Sequence, residues 1–182
     1  EPADVPLCLF DTGGLRQLEP ERRDPLLAAV RSRLAASPFD FREARVISGE
    51  EEALYGWIAV NALLGLLVRG GAFPTVGVLD LGGASSQIAF VPLDLPRESG
   101  HVVELGGDRY AVYVASYPGQ GLDALRRRIG SRDCWPSGYP LPPEEGGPGT
   151  GTGDWFACKA AIRREIGREC AAEEGPCSLM GA

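Results

Sequence analysis

Short apolar runs and helically spaced apolar positions alternate along the chain, which predicts an α/β protein whose mixed sheet is covered by helices. The predicted strands are 5–10, 44–47, 76–81, 87–91, and a hairpin of 102–105 with 110–117. One helix is expected to start with Asp24 as N-cap and Pro25 in its first turn, and to stop at Ser37-Pro38. Others are expected over 48–68, over 122–129, and after Asp154, which suits an N-cap.

The helix predicted from Ser48 to about Val68 has a clear start signal. Ser48 and Glu51 have the spacing of a capping box. The apolar residues that follow surround nearly the whole helix, so we expect it to be buried between other elements. Gly70-Gly71 is the expected end.

Composition and charge narrow the function. The chain has 182 residues, 44% of them hydrophobic, which is enough to bury a core. The net charge of −7 does not provide the basic surface typical of nucleic-acid binding. His101 is the only histidine, so catalysis is expected to use carboxylates, hydroxyls and backbone amides. The longest apolar stretch, 57–68, is too short to span a bilayer.

The five cysteines indicate the redox environment of the protein. Four lie in the last third of the chain without a C-x-x-C pair, which favours disulfides and an oxidising compartment over zinc. Cys8 lies in the first apolar run and is expected to be a buried thiol in a strand. Residues 136–153 are rich in Pro, Gly and Thr and predict an irregular surface loop.

The segment 79–87, LDLGGASSQ, is the main phosphate-binding candidate. Small residues leave backbone N–H groups open to an anion, and Asp80 is suited to hold a hydrated divalent cation. The alternative is a hairpin turn in which the glycines only supply positive φ. A shorter copy, Asp11-Thr12-Gly13-Gly14, follows the first strand, as expected for related lobes that face one phosphate chain.

Glu52 is the candidate general base, because it opens a nearly apolar helix and its carboxylate is then expected at the mouth of a cleft. Capping and dipole roles account for Glu50 and Glu51. Segment 12–16, TGGLR, suits phosphate contact, although a structural salt bridge is the alternative for Arg16. Segment 11–13 also matches the D-T-G of aspartic proteases, but it lacks their following Ser or Thr and a second carboxylate loop.

Together these segments resemble the ectonucleoside triphosphate diphosphohydrolase family, also called apyrases or nucleoside phosphatases. The family's second conserved region is similar to residues 12–16, its third to 48–61 and its fourth to 78–88. Later family segments resemble 116–128, 134–139 and 176–178. The resemblance therefore runs from about Leu7 to the C-terminus in the family's order.

The resemblance implies a partial actin-like fold, with two ribonuclease-H-like lobes and the nucleotide between them. It implies divalent-metal-dependent hydrolysis of the terminal phosphate of nucleoside tri- and diphosphates, without a phosphoenzyme. Glu52 is then expected to activate water, with Ser85 positioning it. Asp80 is expected to hold Mg²⁺ or Ca²⁺ through its water shell. The remaining expected binding residues are Gln87, Thr12, Gly13, Gly14, Gly82, Gly83 and Ala84.

The resemblance also implies a middle portion of that fold. The family's first phosphate loop is expected before residue 1, and its base-stacking aromatics after residue 182. Residues 1–47 are then expected to end the first lobe and 48–182 to start the second, with a Cys-rich excursion at 131–182. The implied disulfides are Cys134–Cys158 and Cys170–Cys177, which leaves Cys8 unpaired. Asp11 stands where the family usually has Ala.

A function of another class stays open, namely a catalytically incomplete module that only binds nucleotide or another chain. A nucleic-acid partner is not expected under either hypothesis. Membrane attachment is expected only through segments outside this sequence. The expected location is extracellular or the lumen of the secretory pathway.

Overall fold

The structure is a computed structural model that describes residues 1–67, 74–92, 100–142 and 149–172, with the backbone alone for 168–172. The chain forms two compact units, Glu1–Gly121 and Leu122–Ala182. The first contains strands β1 (Pro6–Asp11), β2 (Asp40–Val46), β3 (Val78–Leu81), β4 (Ser85–Phe90), β5 (His101–Leu105) and β6 (Asp108–Pro118), and helices α1 (Gly13–Arg16), α2 (Pro20–Ala35) and α3 (Gly49–Leu63). The second contains helices α4 (Leu122–Ile129) and α5 (Trp155–Ala172).

The first unit contains two sheets of different type. Strands β1 and β2 pair in parallel, and helix α2 provides the crossover that a parallel pair requires. The other four strands form an antiparallel sheet in the order β3-β4-β6-β5. Helix α3 packs on this second sheet. There Trp57 is fully buried in a cluster with Ala53, Ala89 and Val112.

Helix α3 begins as predicted and ends earlier than predicted. Ser48 Oγ accepts from the Glu51 amide at 3.1 Å, and Glu51 Oε2 accepts from the Ser48 amide at 2.9 Å. The helix ends at Leu63, because Gly65 adopts φ +69° and reverses the chain. The predicted end at Gly70-Gly71 lies outside the described residues.

The expectation that α3 is buried all round is wrong. Its buried residues are spaced by four, which is one stripe of a helix: Gly49, Ala53, Trp57 and Asn61. Leu63 is 88% exposed. The amide of Asn61 exchanges two hydrogen bonds with the backbone of Val76, so this polar residue connects α3 to the chain segment that leads into β3.

The predicted start of α2 is also wrong. The helix begins at Pro20, with Glu19 as N-cap, and Pro25 lies inside it. Pro20 already provides the fixed φ of a first-turn proline, whereas Pro25 lies inside the helix and has no backbone N–H to donate. Asp24 is therefore a helical residue, which pairs with Arg23, and not a cap.

Cys8 lies in a strand, as predicted, but its burial was predicted wrongly. It is an exposed free thiol in β1. The more buried residues of this strand are its neighbours Leu7 and Leu9, so Cys8 belongs to the open face of the two-stranded sheet.

The second unit agrees with the sequence in several details. Helix α4 covers the predicted residues, and Asp154 Oδ1 accepts from the amides of Phe156 and Ala157, both at 3.0 Å. The disulfide Cys134–Cys158 is present. The pair Cys170–Cys177 stays a prediction, because Cys177 lies outside the described residues. Within the described ranges, we find no helix with the length and apolar character needed to cross a bilayer.

Candidate active site

Three predicted segments of the first unit lie against one another. A β-carbon at Gly13 would lie 2.8 Å from Ala84 Cβ and 3.6 Å from Ser85 Oγ, so α1 starts directly on the turn between β3 and β4. Glu52, in the first turn of α3, hydrogen-bonds with Gln87 of β4. The segments around residues 13, 52 and 83 therefore converge.

Strand register creates a polar row across the antiparallel sheet. Gln87 pairs with Asp80 on one side and with Ser116 on the other. Residues directly opposite in antiparallel strands point to the same side of a sheet, so these three side chains share a face. Ser85 lies two residues before Gln87 and therefore projects from that face as well. Asp80 is exposed at the edge strand, whereas Gln87 and Ser85 are buried.

Gln87 connects the row to the helix above it. Its Nε2 lies 2.8 Å from Ser85 Oγ, 3.3 Å from Ser116 Oγ and 3.2 Å from Glu52 Oε2. The side chain is 2% exposed, yet its Oε1 has no hydrogen-bond partner within the described ranges. A buried acceptor in this state is a place where a water molecule can donate a hydrogen bond.

Glu52 is held from a second direction by Arg16, the last residue of α1. Arg16 Nη2 lies 2.9 Å from Glu52 Oε2 and 3.3 Å from Ser85 Oγ. The Glu52 side chain is 15% exposed. All of its hydrogen bonds use Oε2, and Oε1 has no partner among the residues that the structure describes. The carboxylate is therefore fixed through one oxygen and open at the other.

The three consecutive glutamates at the start of α3 have different surroundings. Glu50 is exposed, whereas Glu52 faces the converging segments. Glu51 completes the capping box and pairs with Arg45 at 2.8 Å. The hydrogen bonds from the Arg45 guanidinium and from the Ser48 amide hold the pKa of Glu51 below its usual value. The sequence-based assignment of caps and dipole partners thus fits Glu51, and Glu52 is free of that role.

The turn between β3 and β4 differs from a turn that needs glycine for positive φ. Neither Gly82 nor Gly83 lies in the left-handed region. The Gly82 amide donates to the Ser85 carbonyl at 3.0 Å, so it is already used. The amides of Gly83 and Ala84 have no acceptor among the described residues. Two of the three predicted phosphate donors in this turn are thus available.

Residues 119–121, which follow β6, pack against the turn between β3 and β4. Gly121 approaches so closely that a β-carbon there would lie 2.5 Å from both the carbon and the oxygen of the Gly83 carbonyl. The Gly119 amide donates to the Ala84 carbonyl at 2.9 Å, and Ser86 Oγ donates to the Gln120 carbonyl. The turn is therefore fixed by the residues that follow β6.

The second predicted phosphate segment, at the start of α1, also has unused donors. The hydroxyl of Thr12 makes no capping hydrogen bond, and the amides of Gly13 and Gly14 have no acceptor among the described residues. Asp11 instead stabilises this short helix, because its Oδ1 accepts from the Leu15 amide at 3.0 Å. The Asp11 carboxylate therefore has a local structural role.

Sequence reasoning missed two contributors to this site and left a third undecided. Ser116 was recognised only as the start of segment 116–128 and was given no role in the site, because its position opposite Gln87 depends on a strand register that β5 interrupts in the sequence. Gly121 lies in the same segment and was also given no role in the site, since only its close approach to Gly83 reveals that role. Arg16 was proposed either for phosphate or for a salt bridge, and the structure shows the salt bridge with Glu52.

The chain is similar to known proteins over most of its length. A model of the GDA1/CD39 (nucleoside phosphatase) family matches residues 2–137. The chain belongs to this family. The resemblance recognised in the conserved segments is thereby confirmed.

Two relatives of this GDA1/CD39 chain are named as nucleoside triphosphate diphosphohydrolases. Ectonucleoside triphosphate diphosphohydrolase 1 of Bos taurus is 42% identical over 144 residues, covering 69% of this chain and 28% of that protein. Ectonucleoside triphosphate diphosphohydrolase 2 of Homo sapiens is 36% identical over 158 residues, covering 75% of this chain and 32% of that protein. The chain thus spans about a third or less of the length of these relatives.

A solved structure supports the fold. The crystal structure of nucleoside triphosphate hydrolases from Neospora caninum aligns with a TM-score of 0.53 and 26% identity, over 70% of this chain and 27% of that one. This similarity confirms the predicted fold class, an α/β chain that forms part of an actin-like fold.

Proposed function

We propose that this chain supplies the water-activating and phosphate-binding residues of an enzyme that hydrolyses the terminal phosphate of nucleoside tri- and diphosphates. The observation that carries the proposal is the joined pair Glu52 and Gln87. Their side chains meet at 3.2 Å, and each keeps one oxygen without a hydrogen-bond partner among the described residues. The substrate class comes from the names of the relatives.

Glu52 acts as the general base in this proposal. Its free Oε1 takes a proton from a water molecule, whose oxygen attacks the terminal phosphorus. The bond between the terminal phosphorus and its bridging oxygen breaks, and the electron pair stays with the departing nucleoside di- or monophosphate. The terminal group is released as inorganic phosphate, and no phosphoenzyme forms because the nucleophile is water. Gln87 holds the carboxylate through its Nε2, and Ser85 and Gln87 offer hydrogen-bonding atoms to the water.

The phosphate chain is bound by two groups of donors. The free amides of Gly83 and Ala84 suit one phosphate group, since oriented backbone N–H groups stabilise negative charge without reorganising. The hydroxyl of Thr12 and the amides of Gly13 and Gly14 suit another. Gly82 contributes by its small size, because its amide is occupied.

A divalent cation, Mg²⁺ or Ca²⁺, fits Asp80. This carboxylate is exposed and lies beside Gln87 on the sheet. The described residues contain no group of three or more metal-ligating side chains, so the other ligands of such a cation would be phosphate oxygens and water, as is usual for Mg²⁺. A bound cation would reduce the negative charge of the phosphate oxygens.

The test is release of inorganic phosphate from ATP and ADP by the full-length protein that contains this sequence. We expect activity that EDTA abolishes, and a loss in kcat of about 10²- to 10⁴-fold in Glu52→Gln. Glu50→Gln is the matched control, because it removes an exposed carboxylate from the same helical turn. Unchanged turnover in Glu52→Gln would reject the assignment of the base.

A second candidate is a module that binds nucleotide or another chain without turnover. Leu79 and Leu81, which are 80% and 61% exposed on the edge strand β3, favour it. Calorimetry with a non-hydrolysable ATP analogue separates the hypotheses. Metal-dependent binding together with phosphate release supports the enzyme, whereas binding without release supports the module.

An extracellular or secretory-pathway location is part of the proposal. The Cys134–Cys158 disulfide is stable in an oxidising compartment and rare in the cytosol. The two relatives described above are named ectonucleoside triphosphate diphosphohydrolases, and the prefix "ecto" in their names supports an extracellular location. Alkylation of the native protein under non-reducing conditions tests this, with Cys134 and Cys158 expected to be protected after isolation from the natural source.

A further inference from the structure

We propose that Arg16 is a positioning residue for the general base, an inference that rests on the proposed function above. It is the one cation that contacts Glu52 within the described residues. It comes from α1, 36 positions earlier in the sequence. Its role would be to hold the Glu52 carboxylate so that Oε1 faces the attacking water.

The guanidinium is itself fixed. Arg16 Nη1 donates to the Ile47 carbonyl at 2.9 Å, and that carbonyl lies immediately before the start of α3. Nη2 then reaches Glu52 Oε2 and Ser85 Oγ. One planar side chain therefore connects the end of β2, the first turn of α3 and the start of β4. A lysine ammonium, with a single nitrogen on a flexible stem, cannot make this set of contacts at once.

The contacts orient the carboxylate asymmetrically. Arg16 and Gln87 both donate to Oε2, at 2.9 and 3.2 Å, which restricts rotation of the carboxylate. Oε1 is left without a partner among the described residues. A base whose reactive oxygen is kept free while the other is bound is preorganised for proton abstraction.

Two other roles are physically distinct. A residue that binds phosphate directly would affect mainly KM, but both Nη atoms of Arg16 already donate to protein oxygens. A merely structural ion pair would affect stability and leave turnover unchanged. The Arg16–Glu52 pair is more buried than the neighbouring Arg45–Glu51 pair. The side chains of Arg16 and Glu52 are 25% and 15% exposed. Those of Arg45 and Glu51 are 33% and 37% exposed.

The experiment compares Arg16→Ala, Arg16→Lys and Arg45→Ala in the full-length protein that contains this sequence. We expect Arg16→Ala to lower kcat by about 10- to 100-fold, with KM for ATP changed less than about threefold. Arg16→Lys should recover part of kcat, because the charge beside Glu52 is kept. Arg45→Ala removes a neighbouring arginine from the same unit and should leave kcat within about twofold.

Several outcomes would overturn the inference. A rise in KM alone would make Arg16 a phosphate ligand, an unchanged kcat would make the pair structural, and a higher kcat would make it inhibitory. If Arg16→Ala does not fold, Arg16→Lys decides by the same criteria. A folded wild type without phosphate release would reject the proposed function and this inference with it, whereas wild-type turnover in Arg16→Ala would reject the inference alone.

A double-mutant cycle gives a readout that does not need activity. Arg16→Ala and Glu52→Gln are measured singly and together by urea unfolding. We expect the double substitution to lower the midpoint by less than the sum of the single effects, since both remove the same pair. Additive effects would show that the two side chains are uncoupled and would overturn the positioning role.

Discussion

The side chain of Ser116 occupies the place that a β-carbon at Gly49 would need. Gly49 is the first residue of α3, and Ser116 lies on β6 opposite Gln87. The glycine therefore allows the start of the helix to approach the sheet, and Glu52 is carried three residues later. The close approach of α3 to β6 therefore determines how far the Glu52 carboxylate lies from Gln87 and Ser116 on the sheet.

Substitution Gly49→Ala is expected to destabilise the first unit by about 1–3 kcal/mol, because the added methyl group overpacks against Ser116. It should also lower phosphate release by displacing Glu52. Urea unfolding and an activity assay measure the two effects.

Gly56→Ala in the same helix is the matched control. No atom lies within 4 Å of a β-carbon at Gly56, so this change should stabilise α3 by about 0.5–1 kcal/mol. Adding Ser116→Gly to Gly49→Ala should restore part of the packing. Equal stability of the two alanine variants would show that a β-carbon at Gly49 does not clash with Ser116.

Local signals in the sequence predicted local structure well. The capping box at Ser48, the hairpin of β5 and β6, and the cap at Asp154 each depend on residues within a few positions of one another. The two wrong boundaries arose where signals competed. The Asp24-Pro25 pair has the residues typical of a helix start but lies inside α2. Gly65 ends α3 although the apolar run in the sequence continues beyond it.

The candidate site was predicted only in its conserved segments. Glu52, Ser85 and Gln87 could be named because they lie in motifs, but how they are linked depends on contacts between distant parts of the chain. Arg16 reaches Ser85 across 69 positions. Such contacts follow from strand register and helix packing, which periodicity alone does not determine.

The support of the phosphate turn by Gly121 gives a second prediction. Gly121→Ala places a methyl group against the Gly83 carbonyl, and backbone atoms cannot move away as cheaply as a flexible side chain. We expect a loss of about 1–3 kcal/mol in stability and weaker binding of a non-hydrolysable ATP analogue by calorimetry.

Gly121 does not lie in the left-handed region, so the alanine backbone itself is not strained. Any effect of the substitution is therefore a consequence of the contact with the turn. Gly56→Ala again serves as the control for adding a methyl group to the first unit. Unchanged nucleotide affinity in folded Gly121→Ala would show that the turn does not bind phosphate.

The pairing of Glu51 predicts a pH dependence of stability. Its pKa is lowered in the folded protein from the usual 4.5, first by Arg45 and then by the Ser48 amide. The charged form therefore stabilises the fold above that value, and this contribution is lost as the pH falls through the folded-state pKa. Glu51→Gln should be less stable than wild type at pH 7 and should lose less stability on acidification.

Urea unfolding at about pH 7, 5, 4 and 3 measures this difference. Glutamine can still accept from the Ser48 amide, so the capping box is kept and the charge alone is removed. Glu50→Gln is the charge-matched control in the same turn. Parallel pH profiles of wild type and Glu51→Gln would contradict the prediction.

The disulfide gives a prediction for the second unit. Cys134 and Cys158 are 24 positions apart, and closing a loop of that length is worth about 3.5 kcal/mol in the chain-entropy account. The double substitution Cys134→Ser and Cys158→Ser should lower the stability of residues 122–167 by roughly this amount. Hydrogen exchange resolved along the chain should show faster exchange in α4 and α5 and little change in α3.

Cys8→Ser is the control, since this thiol is free and exposed, and it should leave exchange unchanged in both units. If α3 loses protection as much as α5 does, the two units unfold together and the disulfide does not stabilise the second unit locally.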